Sequence, residues 1–142
     1  MKLTKAEAIN LILGFYTTPT GCWVDGIYDD FPELVQFIDG GLTCIDQEDD
    51  RKIIPNQKGK EILFLHFSEI SNDYISFMLK KGMNCKASEV YHWFVTKYDL
   101  KNVEVAKDIS FLVSEKLEQF GYNGISPLRG RDDKFIIQKI WI

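Results

Sequence analysis

Basic side chains are missing from a long early stretch of this 142-residue chain: between Lys5 and Arg51 there is neither lysine nor arginine. Residues 1–50 hold two basic and ten acidic side chains, while the remainder holds fifteen and eleven, so a net charge of −4 hides two unlike halves. Duplex DNA carries one negative charge per roughly 1.7 Å of axis, so the first fifty residues are excluded as a phosphate-binding surface. Cysteine is scarce. Cys22, Cys44 and Cys85 are odd in number and far apart, which argues against a disulfide framework and reads instead as buried thiols in a reducing compartment. With only His66 and His92 beside them, the spacings of a zinc site do not occur. The longest apolar run, Ile62–Leu65, stops at His66, far short of the roughly 20 residues that span a bilayer. Met1-Lys2-Leu3-Thr4 leads straight into an amphipathic stretch with no basic-then-apolar leader, so a soluble, cytoplasmic protein is expected. Walker, G-x-G-x-x-G and G-x-S-x-G runs are absent, and both histidines sit among apolar neighbours, where structural roles are commoner than catalysis.

What is present is a folded composition, 45% hydrophobic and 13% aromatic, enough for one good core or two small ones. It also holds an internal repeat. Shifting the chain by 83 positions lays Glu33–Ile54 on Lys116–Ile137 without a gap. Eight of the 22 pairs are identical, among them Leu34/Leu117, Phe37/Phe120, Gly41/Gly124 and Asp49-Asp50/Asp132-Asp133, where average residue usage gives roughly one or two. Upstream, an offset of 82 sets Glu7 on Glu89 and Tyr16 on Tyr98.

Both copies read as helix, helix, β-hairpin. In the first, Thr4 and Glu7 fit a capping box ahead of Ile9, Ile12, Leu13 and Tyr16 at helical spacing. Asp30-Phe31-Pro32-Glu33 predicts an N-cap at Asp30 and a second helix with Leu34, Phe37 and Ile38 inward, stopped by Gly40-Gly41. Leu42–Ile45 and Lys52–Ile54 are β-prone around the acidic turn Gln47–Asp50. In the second, helices are predicted over 86–98, with Val90, Tyr91, Phe94 and Val95 inward, and over 103–120, with Val105, Ile109, Leu112, Val113 and Leu117 inward, then strands at Ile125–Leu128 and Phe135–Ile142 around Arg129-Gly130-Arg131-Asp132. Between the copies, Asn56 caps a helix running to about Phe67, and a separate run covers Asp73–Leu79.

Helix, helix, glycine, strand, turn, strand, followed by Pro55-Asn56-Gln57-Lys58-Gly59-Lys60-Glu61-Ile62-Leu63, resembles the winged-helix domains of bacterial regulators. In that family a Gly-Leu opens the wing and a Thr-x-x-Gly-x-x-x-Leu-like run opens the next helix; here Asn56 stands in place of the threonine. The expected fold is therefore α+β and mostly helical, with tandem winged-helix-like units: copy one with a trailing helix over 1–70, then a linker helix and copy two over 71–142. Such a fold is specific for architecture and poor for function.

Charge, size and missing catalytic motifs point to a non-catalytic acidic module that binds a basic protein, with no cofactor, metal or membrane partner. In its most concrete form it resembles the immunity proteins that bacteria produce alongside nuclease toxins, masking the toxin's substrate groove. The residues expected at that contact are Asp25, Asp29, Asp30, Glu33, Asp46, Glu48, Asp49 and Asp50, with Trp23 or Tyr28 as apolar anchor. The alternative is a DNA-binding regulator acting through the second hairpin, where Arg129 and Arg131 replace Asp46 and Glu48 and Lys134 replaces Arg51.

Overall fold

The computed structural model describes residues 2–16, 22–23, 31–48, 52–81 and 85–119. Its elements run α1 (Lys5–Tyr16), β1 (Cys22–Trp23), α2 (Pro32–Asp39), β2 (Thr43–Ile45), β3 (Lys52–Pro55), α3 (Gln57–Lys81), α4 (Ala87–Tyr98) and α5 (Val103–Gln119). The described chain is thus α+β and mostly helical. Among the described residues, no helix is long and apolar enough to cross a membrane. Contacts divide the chain into two compact units, Met1–His66 and Phe67–Ile142, and the division falls inside α3.

In the first unit, α1 starts on the expected capping box: the Glu7 amide donates to Thr4 Oγ1 (3.1 Å) and the Thr4 amide to Glu7 Oε1 (2.9 Å). Ala8, Ile9, Leu11, Ile12 and Leu13 are buried. The start of α2 differs from expectation. Phe31, in an extended conformation (φ −131°, ψ 80°), is the N-cap, and Pro32 occupies the first turn. The ring of Pro32 disfavours a helical conformation at the residue before it, so the helix cannot begin at Phe31 with Asp30 as cap. Asp30 itself lies outside the described residues.

The end of α2 follows the glycines. The Gly41 amide donates to Ile38 O (3.0 Å) and the Leu42 amide to Phe37 O (3.1 Å), with Gly41 at φ +71°. This is a Schellman stop, whose left-handed residue glycine adopts without steric cost. Leu42 and Phe37, the apolar pair that accompanies such a stop, are both buried. The chain then enters a three-stranded antiparallel sheet of order β1-β3-β2, with Cys22 opposite Ile53 and Ile45 also opposite Ile53 across the other edge. Ile53 and Pro55 turn inward on β3. Cys44 is exposed rather than buried, because β2 is an edge strand with Ile45 also half exposed beside it.

Asn56 caps α3, as expected, and does more. Its Oδ1 accepts from the Gly59 amide (2.9 Å) while its Nδ2 donates to Gly41 O (2.8 Å), and its backbone amide donates to Leu42 O (2.9 Å). A side-chain amide separates donor and acceptor onto two atoms, so one residue reaches both the helix and the preceding turn. Gly59 lies so close to this turn that a Cβ there would collide with the Leu42 carbonyl oxygen and press on the Phe37 ring.

Where the sequence suggests two helical runs after Asn56, a single helix of 25 residues forms. Ser68-Glu69-Ile70-Ser71-Asn72 contains polar residues but no glycine or proline, and Phe67, Ile70 and Tyr74 keep helical spacing as buried residues through it. Burial outweighs the weak helix preference of serine and asparagine, which is worth a few tenths of a kcal/mol per residue.

The second unit is helical in its described part. Val90 and Phe94 of α4 are buried, as are Ile109, Leu112, Val113 and Leu117 of α5, all at positions the sequence pattern places inward, and Tyr98 is buried with them. Tyr91, Val95 and Val105, expected inward, are only partly covered. The α4 helix ends at Asp99 in the left-handed region (φ 55°), and Asn102 Oδ1 caps α5 by accepting from the Val105 amide (3.0 Å). Across the unit, the Tyr74 and Ser114 hydroxyls meet at 3.2 Å in a buried contact. The hairpin expected over 125–142 lies outside the described residues.

Two stability measurements follow. Gly59→Ala gains about 1 kcal/mol of helix propensity but meets a backbone carbonyl that no rotamer change removes, at an overpacking cost of about 1–3 kcal/mol. Chemical denaturation should show net destabilisation. Ser71 is fully buried, and its hydroxyl finds no hydrogen-bond partner among the described residues. Ser71→Ala removes that unsatisfied group and should raise the unfolding free energy by about 1 kcal/mol; a loss of stability would show that the hydroxyl is bonded after all.

Candidate binding surfaces

Of the ten residues expected to meet a partner, the structure describes three side chains, and it gives them three different situations. Glu33 sits in the first turn of α2 and is 6% exposed, packed rather than presented. Its charge there complements the helix dipole. Asp46 is partly covered and holds the hairpin turn, its Oδ1 accepting from the Glu48 amide at 2.9 Å while its own amide donates to Lys52 O at 3.1 Å. An aspartate that bonds the amide two residues on is a turn-forming residue in its own right. Glu48 is exposed at the tip. Trp23 lies in β1 opposite Lys52. Asp25, Tyr28, Asp29, Asp30, Asp49 and Asp50 lie outside the described residues, as do Arg129, Arg131 and Lys134.

The exposed positions of α2 are Pro32, Gln36 and Asp39, with Val35 and Ile38 partly covered. A helix meant to read DNA would show several cationic or amide side chains here. This one shows a single amide and a carboxylate. Two further described groups, His66 and Cys85, are held by their surroundings. His66 Nδ1 accepts from Lys5 Nζ at 2.8 Å, which requires that nitrogen to be unprotonated. Cys85 is buried, and burial together with the Glu89 carboxylate pushes its thiol up against a smaller opposing effect of Lys81, the reverse of an activated nucleophile. Among the described residues no group of three His, Cys, Asp or Glu side chains is placed to hold a metal ion.

Sequence reasoning missed a groove of about 650 Å³ within the second unit, between the last turns of α3 and the body of α4. Each helix contributes an acid, an aromatic ring and a base at successive four-residue steps: Asp73, Phe77 and Lys81 on α3, Glu89, Trp93 and Lys97 on α4. The spacing puts each trio on one helical face. The helices run antiparallel, since Phe77 packs on Trp93 (ring centroids 4.8 Å) and Tyr98 reaches back to Asp73. Basic Lys81 therefore lies toward Glu89, and Lys97 toward Asp73. The trios were visible in the sequence as two i, i+4, i+8 patterns, but each alone looks like an ordinary amphipathic helix.

Comparison with known proteins finds no match to this chain among family models, curated proteins or solved structures.

The Tyr98 hydroxyl donates to Asp73 Oδ2 at 2.7 Å. Burial first, then the Asp73 hydrogen bond and the charges of Asp73 and Glu69, raise its ionisation far above the usual phenol value. Tyr16 is raised by burial from 10.0 to about 12. Groups raised on folding contribute stability that is complete below their unfolded value and is lost as pH rises through the folded one. Melting temperature should hold steady up to pH 9.0, where the contribution of the raised Cys85 thiol begins to be lost, and fall further from pH 10.0 to about 12 as the tyrosines follow, and Tyr98→Phe should flatten part of that fall. At neutral pH the same variant loses a hydrogen bond to a charged acceptor and about 1.5 kcal/mol.

Proposed function

We propose that this chain is a non-catalytic binding protein whose acidic first half engages a basic protein partner, in the manner of an immunity protein that masks the substrate groove of a nuclease toxin. One observation carries the reading. The exposed tip of the β2–β3 hairpin and the open face of α2 present Glu48 and Asp39, within a stretch where no lysine or arginine occurs from residue 6 to residue 50. A surface of one sign steers an oppositely charged partner and makes the encounter sensitive to salt. Because Glu33 is packed and Asp46 holds the turn, the contact rests on Glu48 at the tip and on the acids Asp25, Asp29, Asp30, Asp49 and Asp50, with Trp23 or Tyr28 as anchor. Localisation in the cytoplasm is part of this proposal, since a nuclease must be silenced where nucleic acid is.

The order α1, β1, α2, β2, β3 with β1 paired to β3 supports a winged-helix relationship for the first unit. A duplication finds support in the helices: α1 and α4 each span 12 residues, and both their starts and their ends lie 82 positions apart. Against a strict copy, β1 falls where α5 has already begun. This relationship favours one second reading, a DNA-binding regulator using Arg129, Arg131 and Lys134 on the wing of the second copy.

Association rates against a panel of purified nuclease-toxin domains test the first reading. A cognate toxin should bind with a rate that falls at least about ten-fold from low to physiological salt. Changing Asp29, Asp30, Glu48 and Asp49 together to lysine should abolish binding while leaving the circular dichroism spectrum intact. Binding that survives the four changes refutes the acidic surface as the contact. Retardation of random duplex DNA at low salt, lost in Arg129→Glu and Arg131→Glu, would move the assignment to the second reading.

A further inference from the structure

The α3–α4 groove has no part in that proposal, and its chemistry is opposite in sign. Its floor is aromatic: Phe77, 9% exposed, and Trp93, partly exposed, tilted by 53° to each other. The two carboxylates at its rim are already engaged. Asp73 accepts the Tyr98 hydroxyl at 2.7 Å, and Glu89 Oε2 accepts the Lys86 amide at 3.4 Å as part of the start of α4. The ammonium groups are not so employed. Lys81 lies 5.9 Å from the centre of the Phe77 ring, and among the described residues Lys80 and Lys97 form no ion pair.

The geometry points to a binding site for a small planar aromatic carboxylate, its ring on Phe77 and Trp93 and its acid group at Lys80 and Lys81. The volume is that of a pocket for a compact organic ligand rather than a protein interface. Offset or edge-on ring packing against two tilted aromatics favours a flat ligand over a branched aliphatic one. The sign of the ligand follows from the rim. At the α4 start two lysines face one engaged carboxylate, and at the far end Lys97 faces Asp73 alone, so the excess positive charge is at Lys80 and Lys81. Those lysines stand three and four residues beyond Phe77, about 4.5–6 Å along the helix axis, within reach of a carboxylate attached directly to a ring seated there.

Binding of 2-naphthoate, followed by proton–nitrogen correlation spectra of the full chain, tests the assignment against 2-naphthylmethylammonium, which has the same ring and the opposite charge. The carboxylate should shift the Trp93 indole resonance and the amides of residues 76–81 and 88–97 at millimolar concentration or below, and the ammonium should not. Lys80→Glu with Lys81→Glu, both on the exposed surface, should weaken the carboxylate about ten-fold or more, and Lys97→Glu should weaken it far less. Trp93→Leu should remove the site. Should that variant lose its fold, the lysine pair still decides the question. Equal binding of the two probes, shifts centred elsewhere, indifference to the Lys80 and Lys81 reversals or no shift at millimolar probe would each overturn the site. The acidic tip of the first unit takes no part in this experiment, so its outcome is independent of the toxin-binding proposal.

Discussion

The first unit depends on a junction a few ångströms across, where Asn56 joins the end of one helix to the beginning of another. Its side chain holds the Gly41 carbonyl and the Gly59 amide at once, and its backbone holds Leu42. Gly59 then lets α3 pass directly over the Leu42 carbonyl. With those three points fixed, the hairpin can leave α2 and return to α3 only in one register, and Ile53 and Pro55 face inward as a consequence. The Gly59 amide would otherwise be an orphan at the start of a helix, in a part-buried position, and leaving such a group buried and unbonded costs about 1–3 kcal/mol. Asparagine suits this junction in a way that a threonine would not. A hydroxyl offers one atom to the junction, whereas the amide offers two.

The second unit is organised by side-chain contacts of long reach along the sequence. Tyr74 stacks near Phe94 with centroids 6.0 Å apart and meets Ser114 through its hydroxyl, while Tyr98 joins Asp73. These polar contacts fix the axial position of α4 and α5 on α3 in a way that apolar packing alone specifies weakly, since a helix pair that slides by one turn can bury similar area. The groove between α3 and α4 is a product of that fixed position. It exists because Phe77 is held level with Trp93, 16 residues away in the chain.

What could be read in advance was local. Thr4 with Glu7, Gly40-Gly41 and Asn56 are each a short-range arrangement in which a residue type satisfies a backbone group a few positions away, and each formed as the spacing predicts. The start of α2 was misread because Asp30 looks like a cap by residue type, while the steric demand of Pro32 on Phe31 decides the matter. The polar stretch Ser68–Asn72 suggested a break between two helices. It is helical because the apolar residues on either side of it stay in phase, which is a property of the whole 25-residue helix rather than of five positions. Cys44 was expected inside because cysteine usually is, and β2 turned out to be an edge. The groove was illegible for a different reason: no window of sequence contains both its walls.

The acids of the first half show why charge counting locates a function only coarsely. Ten carboxylates in fifty residues suggest a surface, yet Glu7 is spent on a capping box, Glu33 is packed in a helix start, and Asp46 holds a turn. Those three would be present in a protein with no acidic partner at all, because a side-chain oxygen near a helix N-terminus or a tight turn stabilises the backbone locally. Subtracting them removes about a third of the apparent signal, and the described remainder, Asp39 and Glu48, is modest. The absence of every lysine and arginine over the same span has no such local explanation, since neither caps nor turns exclude them. The case for a basic partner therefore rests less on the acids that are there than on the cations that are not.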